Sequence, residues 1–340
     1  MRIGIYKDTL ANNRGADKAV LALAEGLHER GHDAVLFEKK DFEKRIKEPW
    51  DVVISTGTNE LLDITAAWGH AALPWPVIQQ FHTNPQSQFK WKRLVRNWRI
   101  RRALRHVSAI QVLNARFAPQ VAKYGAKVHV IGNWSAYGNA GTWVRASGME
   151  KTIIYPAAFA KGKNQSLLIR AFGAVANDFP DWKLRLPGRA EGSYADECRR
   201  LAAACGGMGA CRPTSVAGIE GRIEFAGYSN DMAGEYAQCA FVAFPSRDEG
   251  FGLVIADAAA FGKPCVMVED WIGTAASGGG IVTPPTVGAY ADGLKQLMAD
   301  AELRRRLGER ALEFCAEHFS RERILDNWEN AIREVARNRA

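Results

Sequence analysis

Glu249 and Asp257 stand eight positions apart in the stretch SRDEGFGLVIADAAAFGKP, which runs from Ser246 to Pro264. The segment starts polar, carries three glycines and ends alanine-rich and apolar, the pattern of a loop entering a helix near Leu253. Such a junction has a definite chemistry. The first N–H groups of a helix have no partner inside it, and the positive end of its dipole lies there, so it suits an anion. Gly250 and Gly252 let the backbone approach a ligand closely. A carboxylate accepts pairs of hydroxyls, and a lysine supplies a compact counter-charge. Plainer roles exist for the two acids: Glu249 also suits the helix dipole without any ligand, and Asp257 also suits a helix face in water.

These groups need elements to hold them. RIGIY (Arg2–Tyr6) reads as a buried strand, KDTLANNRGAD as a loop, KAVLALAEGLHERGH as a helix stopped at Gly31, and DAVLFE as the next strand. This β-loop-α-β order is the unit of a parallel doubly wound sheet. DVVIST, PVIQQFH, SAIQVLN and KVHVIGN continue the series. YGNAGTWVRASGM (Tyr137–Met149) reads as a linker, after which a second α/β series begins at TIIYPA. In it, WKLRLPG, RIEFAG, AFVAFPS and PCVMV are strands, and the Gly-rich stretch from Gly206 to Gly221 is a loop. The expected organisation is two Rossmann-like α/β domains, 1–145 and 146–320, with a ligand cleft between them, and a C-terminal helix over 321–340 packing back on the first domain. No GxGxxG follows the first strand, which argues against a dinucleotide-dependent dehydrogenase.

Bulk composition narrows the class. The chain has 340 residues, 47% of them apolar and 24% charged, which fits a soluble two-domain protein. No apolar run approaches the ~20 residues of a membrane span. MRIGIYKDTL lacks the long apolar core of a secretion signal, so an intracellular protein is expected. Six scattered cysteines form no CxxC pair and no His cluster accompanies them, so reduced thiols are expected rather than a metal site. Net charge is +8, and the run KWKRLVRNWRIRRALR (Lys90–Arg105) alone holds eight Lys/Arg and no acid. Trp91, Leu94, Val95 and Trp98 fall at helical spacing within it. Lys90, Trp91, Lys92, Arg93, Arg96, Trp98, Arg99, Arg101 and Arg102 therefore form a candidate surface for an anionic membrane or an acceptor. The ordinary alternative is a helix that packs its apolar stripe inward and leaves its arginines in water. No nucleic-acid-binding motif accompanies the run.

PSRDEGFGLVIADAAAFGKPCV resembles the P-S-x-x-E-G-F-G-L…E-A-x-A-x-G-x-P-V-V segment of glycosyltransferase family 4, the retaining GT-B enzymes of the group 1 glycosyl transferases. KNQSLLIRAF, LRLPGRAEG and RIEFAGY resemble the family's preceding segments in the same order, and NNRGADKAVLALAEGLHERGHDAVLF its first Gly-loop and helix. The resemblance implies a GT-B fold, with an acceptor-side domain first and a nucleotide-sugar domain second. It implies that Glu249 orients the donor sugar's hydroxyls, that Asp257 holds the ribose hydroxyls, and that Lys163 and the helix start at Gly250, Phe251, Gly252 and Leu253 meet the diphosphate. His82 falls where family members often carry a histidine that approaches the donor sugar; a histidine bonded to its own loop would look the same. Gly15, Gly188 and Arg189 fall in the two Gly-containing turns and are expected to meet the donor; Asn13 and Arg14 suit acceptor phosphate and plain loop decoration equally.

Two departures stand out. The family usually has Glu where this chain has Asp257, so the shorter carboxylate must sit closer to its diol. It often has an arginine five or six positions before the lysine, where this chain has Ala157–Ala158; Lys161 or Arg189 are the substitutes at hand. No D-x-D triplet for a divalent metal is evident. The resemblance thus implies retaining, metal-independent hexosyl transfer, with no cofactor, from a UDP- or GDP-linked sugar. The expected acceptor is a glycan or lipid-linked molecule of cell-surface polysaccharide or lipopolysaccharide synthesis, and the expected location is the cytoplasmic face of the membrane. The departures motivate two alternatives: a non-catalytic nucleotide-binding subunit of GT-B shape, or a sugar-nucleotide epimerase.

Overall fold

The computed structural model describes residues 1–10, 15–68, 73–89, 92–137, 151–206 and 221–338. Asn13, Arg14, Lys90, Trp91, nearly all of the expected linker and nearly all of the Gly206–Gly221 loop lie outside the described residues. The chain divides into two compact units, Met1–Asn133 with Arg321–Ala340, and Trp134–Ser320.

The first unit is built on strands β1 (Arg2–Tyr6), β2 (Asp33–Phe37), β3 (Val52–Ser55), β4 (Val77–Phe81), β5 (Ala109–Val112) and β6 (Lys127–Val130). All pair in parallel, in the order β2-β1-β3-β4-β5-β6. Helices α1 (Gly15–Glu29), α2 (Phe42–Arg45), α3 (Thr58–Trp68), α4 (Leu94–Ala103) and α5 (Ala118–Ala122) join them. Strands covered on both faces must be apolar on both, and β3 and β4 are buried along their whole length. The unit is closed by the far end of the chain. Helix α12 (Arg321–Arg337) buries Ile324, Leu325, Trp328, Ile332 and Val335 and packs with α1, β3 and β4. Two ion pairs, Arg30 to Asp326 at 2.5 Å and Arg321 to Glu29 at 2.6 Å, and a hydrogen bond between His32 and Glu329 at 2.8 Å fix its register.

The second unit repeats the design with β7 (Thr152–Ile154), β8 (Lys183–Pro187), β9 (Ile223–Gly227), β10 (Phe241–Phe244), β11 (Cys265–Met267) and β12 (Gly280–Val282). The order is β12-β11-β10-β7-β8-β9, again all parallel. Its helices are α6 (Gln165–Val175), α7 (Ser193–Gly206), α8 (Met232–Gln238), α9 (Leu253–Ala260), α10 (Val287–Ala299) and α11 (Ala301–His318). The strand order reverses between β7 and β10 here and between β1 and β3 in the first unit. Such switch points open a crevice outside the carboxyl ends of the strands, where ligands of this fold class bind. No helix among the described residues is long and apolar enough to cross a membrane. Burial pushes the Cys239 thiol up to about 12, so it stays protonated and inert.

Candidate active site

In the second unit the two loops that flank the switch point carry the two groups singled out for the donor. Lys163 follows β7 and Glu249 follows β10, and Lys163 Nζ lies 2.5 Å from Glu249 Oε1. A web of bonds holds the loops together. Arg247 N–H donates to the Gly162 carbonyl at 3.0 Å, and the Ser246 hydroxyl donates to the same carbonyl at 3.3 Å. Asn164 Nδ2 donates to the Pro245 carbonyl at 3.3 Å, and the Tyr155 hydroxyl to the Lys163 carbonyl at 3.1 Å. Asn164 sits at φ 57, the sole positive-φ residue other than glycine among those described. Asparagine tolerates this left-handed turn better than most residues, and the turn starts α6 directly behind the lysine.

Glu249 leads into Gly250, Phe251 and Gly252. Gly252 caps α9 at φ 94, and a Cβ there would meet Ile255 and Trp271 at 3.2 and 3.3 Å, so glycine is required both by conformation and by space. Phe251 is buried and packs edge-on against Phe319, with centroids 5.0 Å apart, so it anchors the loop rather than facing a ligand. Leu253 opens the helix, and no side chain caps its first N–H groups. Asp257 lies one turn in, half-buried, and accepts from the Ser135 hydroxyl at 2.6 Å.

The positions around the missing arginine have a different job. The segment Tyr155–Phe159 runs on along β8: Ala157 N–H donates to the Pro187 carbonyl at 2.9 Å and Phe159 N–H to the Arg189 carbonyl at 3.0 Å. Gly188, at φ 149, lies so close that a Cβ would come within 2.1 Å of the Ala157 oxygen. Gly188 thus serves the close approach of two backbone segments. Lys161 is exposed, and Arg189 is exposed beside Glu191 at 3.8 Å.

The first unit has its own polar group at its switch point. Lys7 follows β1 and pairs at 3.1 Å with Glu60, which lies in α3 and whose side chain is 4% exposed. The Asp8 N–H donates to the same Glu60 oxygen at 3.1 Å. His82, just beyond β4, has both ring nitrogens shut from water and without a partner. Burial, with Lys7 adding to it, pushes His82 down to about 3, so it is a neutral imidazole at physiological pH. A histidine bonded to its own loop is therefore not what the structure shows. Gly15 begins α1 and is exposed. Lys7, Glu60 and Ser135 escaped the sequence analysis. Lys7 was within reach, as the first charge after the first strand; Glu60 and Ser135 sit in segments with no motif.

Helix α4 departs from the ordinary alternative, in which its apolar stripe would pack inward. Its buried face is Asn97, Ile100 and Ala103. Leu94, Val95 and Trp98 point outward, 75%, 75% and 59% exposed. Lys92, Arg93, Arg99, Arg101 and Arg102 are exposed around them, with Arg102 lying over the Trp98 ring at 5.6 Å. Arg96 differs: it donates to the Gln88 carbonyl, Thr58 Oγ1 and Asn59 Oδ1 at 3.1, 3.0 and 2.8 Å. It holds the helix to α3 and is not part of a free basic surface. Among the described residues no three His, Cys, Asp or Glu side chains gather as a metal site requires.

Comparison with known proteins places this geometry. Residues 144–314 match the family described as glycosyl transferases group 1. An exopolysaccharide phosphotransferase of Streptomyces coelicolor is 30% identical over 201 residues, 57% of this chain and 20% of its own length. N-acetyl-alpha-D-glucosaminyl L-malate synthase of Bacillus anthracis is 29% identical over 199 residues, 56% of this chain and 47% of its own length. The chain thus spans less than half the length of either relative. The crystal structure of Anabaena HepE in complex with UDP and glucose superposes with a TM-score of 0.75 over 98% of this chain and 99% of its own, at 16% identity, which establishes the shared fold alone. With two parallel six-stranded α/β units, the fold is GT-B, and the family match extends over the switch-point loops of Lys163 and Glu249. The chain belongs to the glycosyl transferases group 1 family.

Proposed function

We propose that the protein is a retaining, metal-independent glycosyltransferase that moves a hexose-type sugar from a nucleoside diphosphate sugar to a glycan or lipid-linked acceptor of cell-surface polysaccharide synthesis. The observation that carries this reading is the Lys163–Glu249 pair, 2.5 Å apart at the switch point and directly ahead of the uncapped start of α9. A departing nucleoside diphosphate gains negative charge, and an ammonium beside fixed N–H groups is suited to it in advance. Glu249, next to that ammonium, accepts the hydroxyls of the sugar. Asp257 takes the ribose hydroxyls. In the retaining reaction the C1–O bond to phosphate breaks as a bond from C1 to the acceptor oxygen forms on the same face, and the acceptor proton passes to the departing phosphate oxygen. No protein nucleophile is required.

The acceptor side belongs to the first unit, where Lys7, Glu60 and the neutral His82 line the carboxyl ends of β1, β3 and β4. Helix α4 supports a peripheral location on the inner membrane face. An apolar ridge of Leu94, Val95 and Trp98 ringed by arginines suits the boundary of an anionic bilayer, where apolar side chains enter and guanidinium groups meet phosphates. HepE, crystallised with UDP and glucose, supports a sugar nucleotide as donor.

The test is a thermal-shift panel of UDP, GDP, ADP and CMP with their sugar conjugates, on wild type and on Glu249→Ala. A ligand that binds the folded state raises the melting temperature. One diphosphate should stand out, and its sugar-dependent increment should vanish in the variant. No shift from any of them at millimolar concentration would overturn the reading in favour of a non-catalytic subunit, with Ala157–Ala158 as the cause.

A further inference from the structure

Asp257 occupies a position where a longer carboxylate is usual, and the structure shows what accompanies the shorter one. The Ser135 hydroxyl lies 2.6 Å from Asp257 Oδ1. Ser135 is itself 6% exposed, and its oxygen accepts from the Tyr137 N–H at 3.1 Å. A hydroxyl has one proton. With the backbone N–H donating into the Ser135 oxygen, that proton points at the carboxylate, and the chain of bonds has one direction: Tyr137 N–H to Ser135 to Asp257. The short segment is held in place by the Tyr137 ring, which packs edge-on against Phe261 at 5.2 Å and Tyr236 at 6.1 Å. Phe261 directly follows α9, and its ring stacks on Tyr236 at 5.5 Å. Serine and carboxylate are thus tied to one rigid aromatic cluster at both ends.

An aspartate on a helix has two side-chain torsions, and a carboxylate that must wait for a diol loses binding energy if it wanders. An ionised carboxylate offers about four acceptor positions. Ser135 bonds to Oδ1 and so fixes the plane of the carboxylate. We propose that Ser135 is the positioning residue of the donor site's ribose clamp, and that the Ser135–Asp257 pair discriminates ribonucleoside diphosphates from their 2′-deoxy counterparts. The proposal rests on the reading of Asp257 as the ribose-binding acid.

Calorimetric titration with UDP, 2′-deoxy-UDP, GDP and 2′-deoxy-GDP tests it on wild type, Ser135→Ala, Ser135→Cys, Ser135→Thr and Asp257→Ala. Wild type should prefer the ribo form of the base it binds by about tenfold or more, the effect of one hydrogen bond to a charged group. Ser135→Ala should cut that preference several-fold. It should raise the donor KM by a similar factor while kcat stays within about twofold, a split that follows from uniform binding. Ser135→Cys, nearly the same size with a weak donor, should behave like Ser135→Ala, and Ser135→Thr should keep the preference. If both the alanine and cysteine variants retain the wild-type preference while Asp257→Ala loses it, the role of Ser135 is refuted and that of Asp257 stands. If wild type binds a diphosphate but treats the ribo and 2′-deoxy forms alike, Asp257 does not hold the ribose, and the clamp falls with it.

Discussion

Replacing Lys163 by alanine separates what the site does for the fold from what it does for a reaction. Lys163 Nζ and Glu249 Oε1 are 2.5 Å apart, with 33% and 13% of their side chains exposed. Glu249 is the more shielded partner, and leaving its carboxylate without the ammonium costs about 1–3 kcal/mol. A domain of this size loses about 2–4 °C of melting temperature per kcal/mol. Three further hydrogen bonds between the two loops remain when the ammonium is gone, so the loops keep their places. In the reaction the same ammonium meets a diphosphate whose charge is growing. Loss of one preorganised donor to such charge costs about 2.7–4 kcal/mol, or 10²–10³ in turnover. With alanines at 157 and 158, no arginine there shares the task, which favours the upper end. The assay is initial rates with the donor that the thermal-shift panel selects, beside calorimetric melting of the same preparation. Turnover should fall about 10²–10³-fold with the melting temperature within about 10 °C of wild type. A loss smaller than tenfold in a normally folded variant would refute the assignment of the diphosphate to Lys163. A fall of more than about 10 °C would refute the statement that the pair matters little for folding.

Three other outcomes follow from the geometry. His82 is held neutral with its pKa near 3, below the ordinary 6.5, so the unfolded chain binds the extra proton first as pH falls. Stability therefore drops on acidification from 6.5 towards 3, and urea melts at pH 7.5 and 5.0 should show wild type losing about 2 kcal/mol more than His82→Asn. On helix α4, a Leu94→Ser, Val95→Ser, Trp98→Ser triple variant should lose sedimentation with anionic vesicles, and Arg99→Ser with Arg102→Ser should weaken binding and flatten its salt dependence; Arg96→Ser should instead cost about 1–3 kcal/mol of stability, read as a lower melting temperature. Unchanged vesicle binding in the triple variant would remove α4 as a membrane element. Gly188→Ala forces a Cβ against the Ala157 oxygen at a backbone angle alanine resists, and should cost about 2–4 kcal/mol in chemical denaturation; a neutral result would show that the two segments can part without loss.

The carboxylates and the glycines around α9 were legible because a loop-to-helix junction leaves a local signature, and Lys163 because KNQSLLIRAF resembles a family segment. Every residue from Ser246 to Leu253 lies within a few positions of the others, and local patterns carry such information. The Lys163–Glu249 contact spans 86 positions, and only the strand order β7 beside β10 makes it short. Helix α4 shows the opposite lesson. Its apolar residues recur at helical spacing, and periodicity identifies such a stripe but not the direction it faces. Arg96, with three acceptors waiting on α3 and Gln88, turned the helix so that Asn97 and Ile100 went in and Leu94 stayed out. The break between the units, at Asn133 and Trp134, precedes the Gly- and Ser-rich stretch that composition marks. Ser135 and Tyr137 belong to the second unit through a hydroxyl bond and ring contacts that no composition reveals.

Helix α12 has a consequence for how the protein is made. The first unit leaves the ribosome early, yet the helix that covers α1, β3 and β4 is translated after Ser320. At about 5–20 residues per second, synthesis of the intervening unit takes on the order of ten seconds or more. During that interval the surface destined for Leu325 and Trp328 has no cover, including the groove at Gly26 that the Leu325 side chain fills. The second unit, contiguous in the chain, can complete itself first. Nascent chains stalled between the two events should therefore bind trigger-type chaperones through the amino-terminal half, and release should coincide with arrival of the last helix.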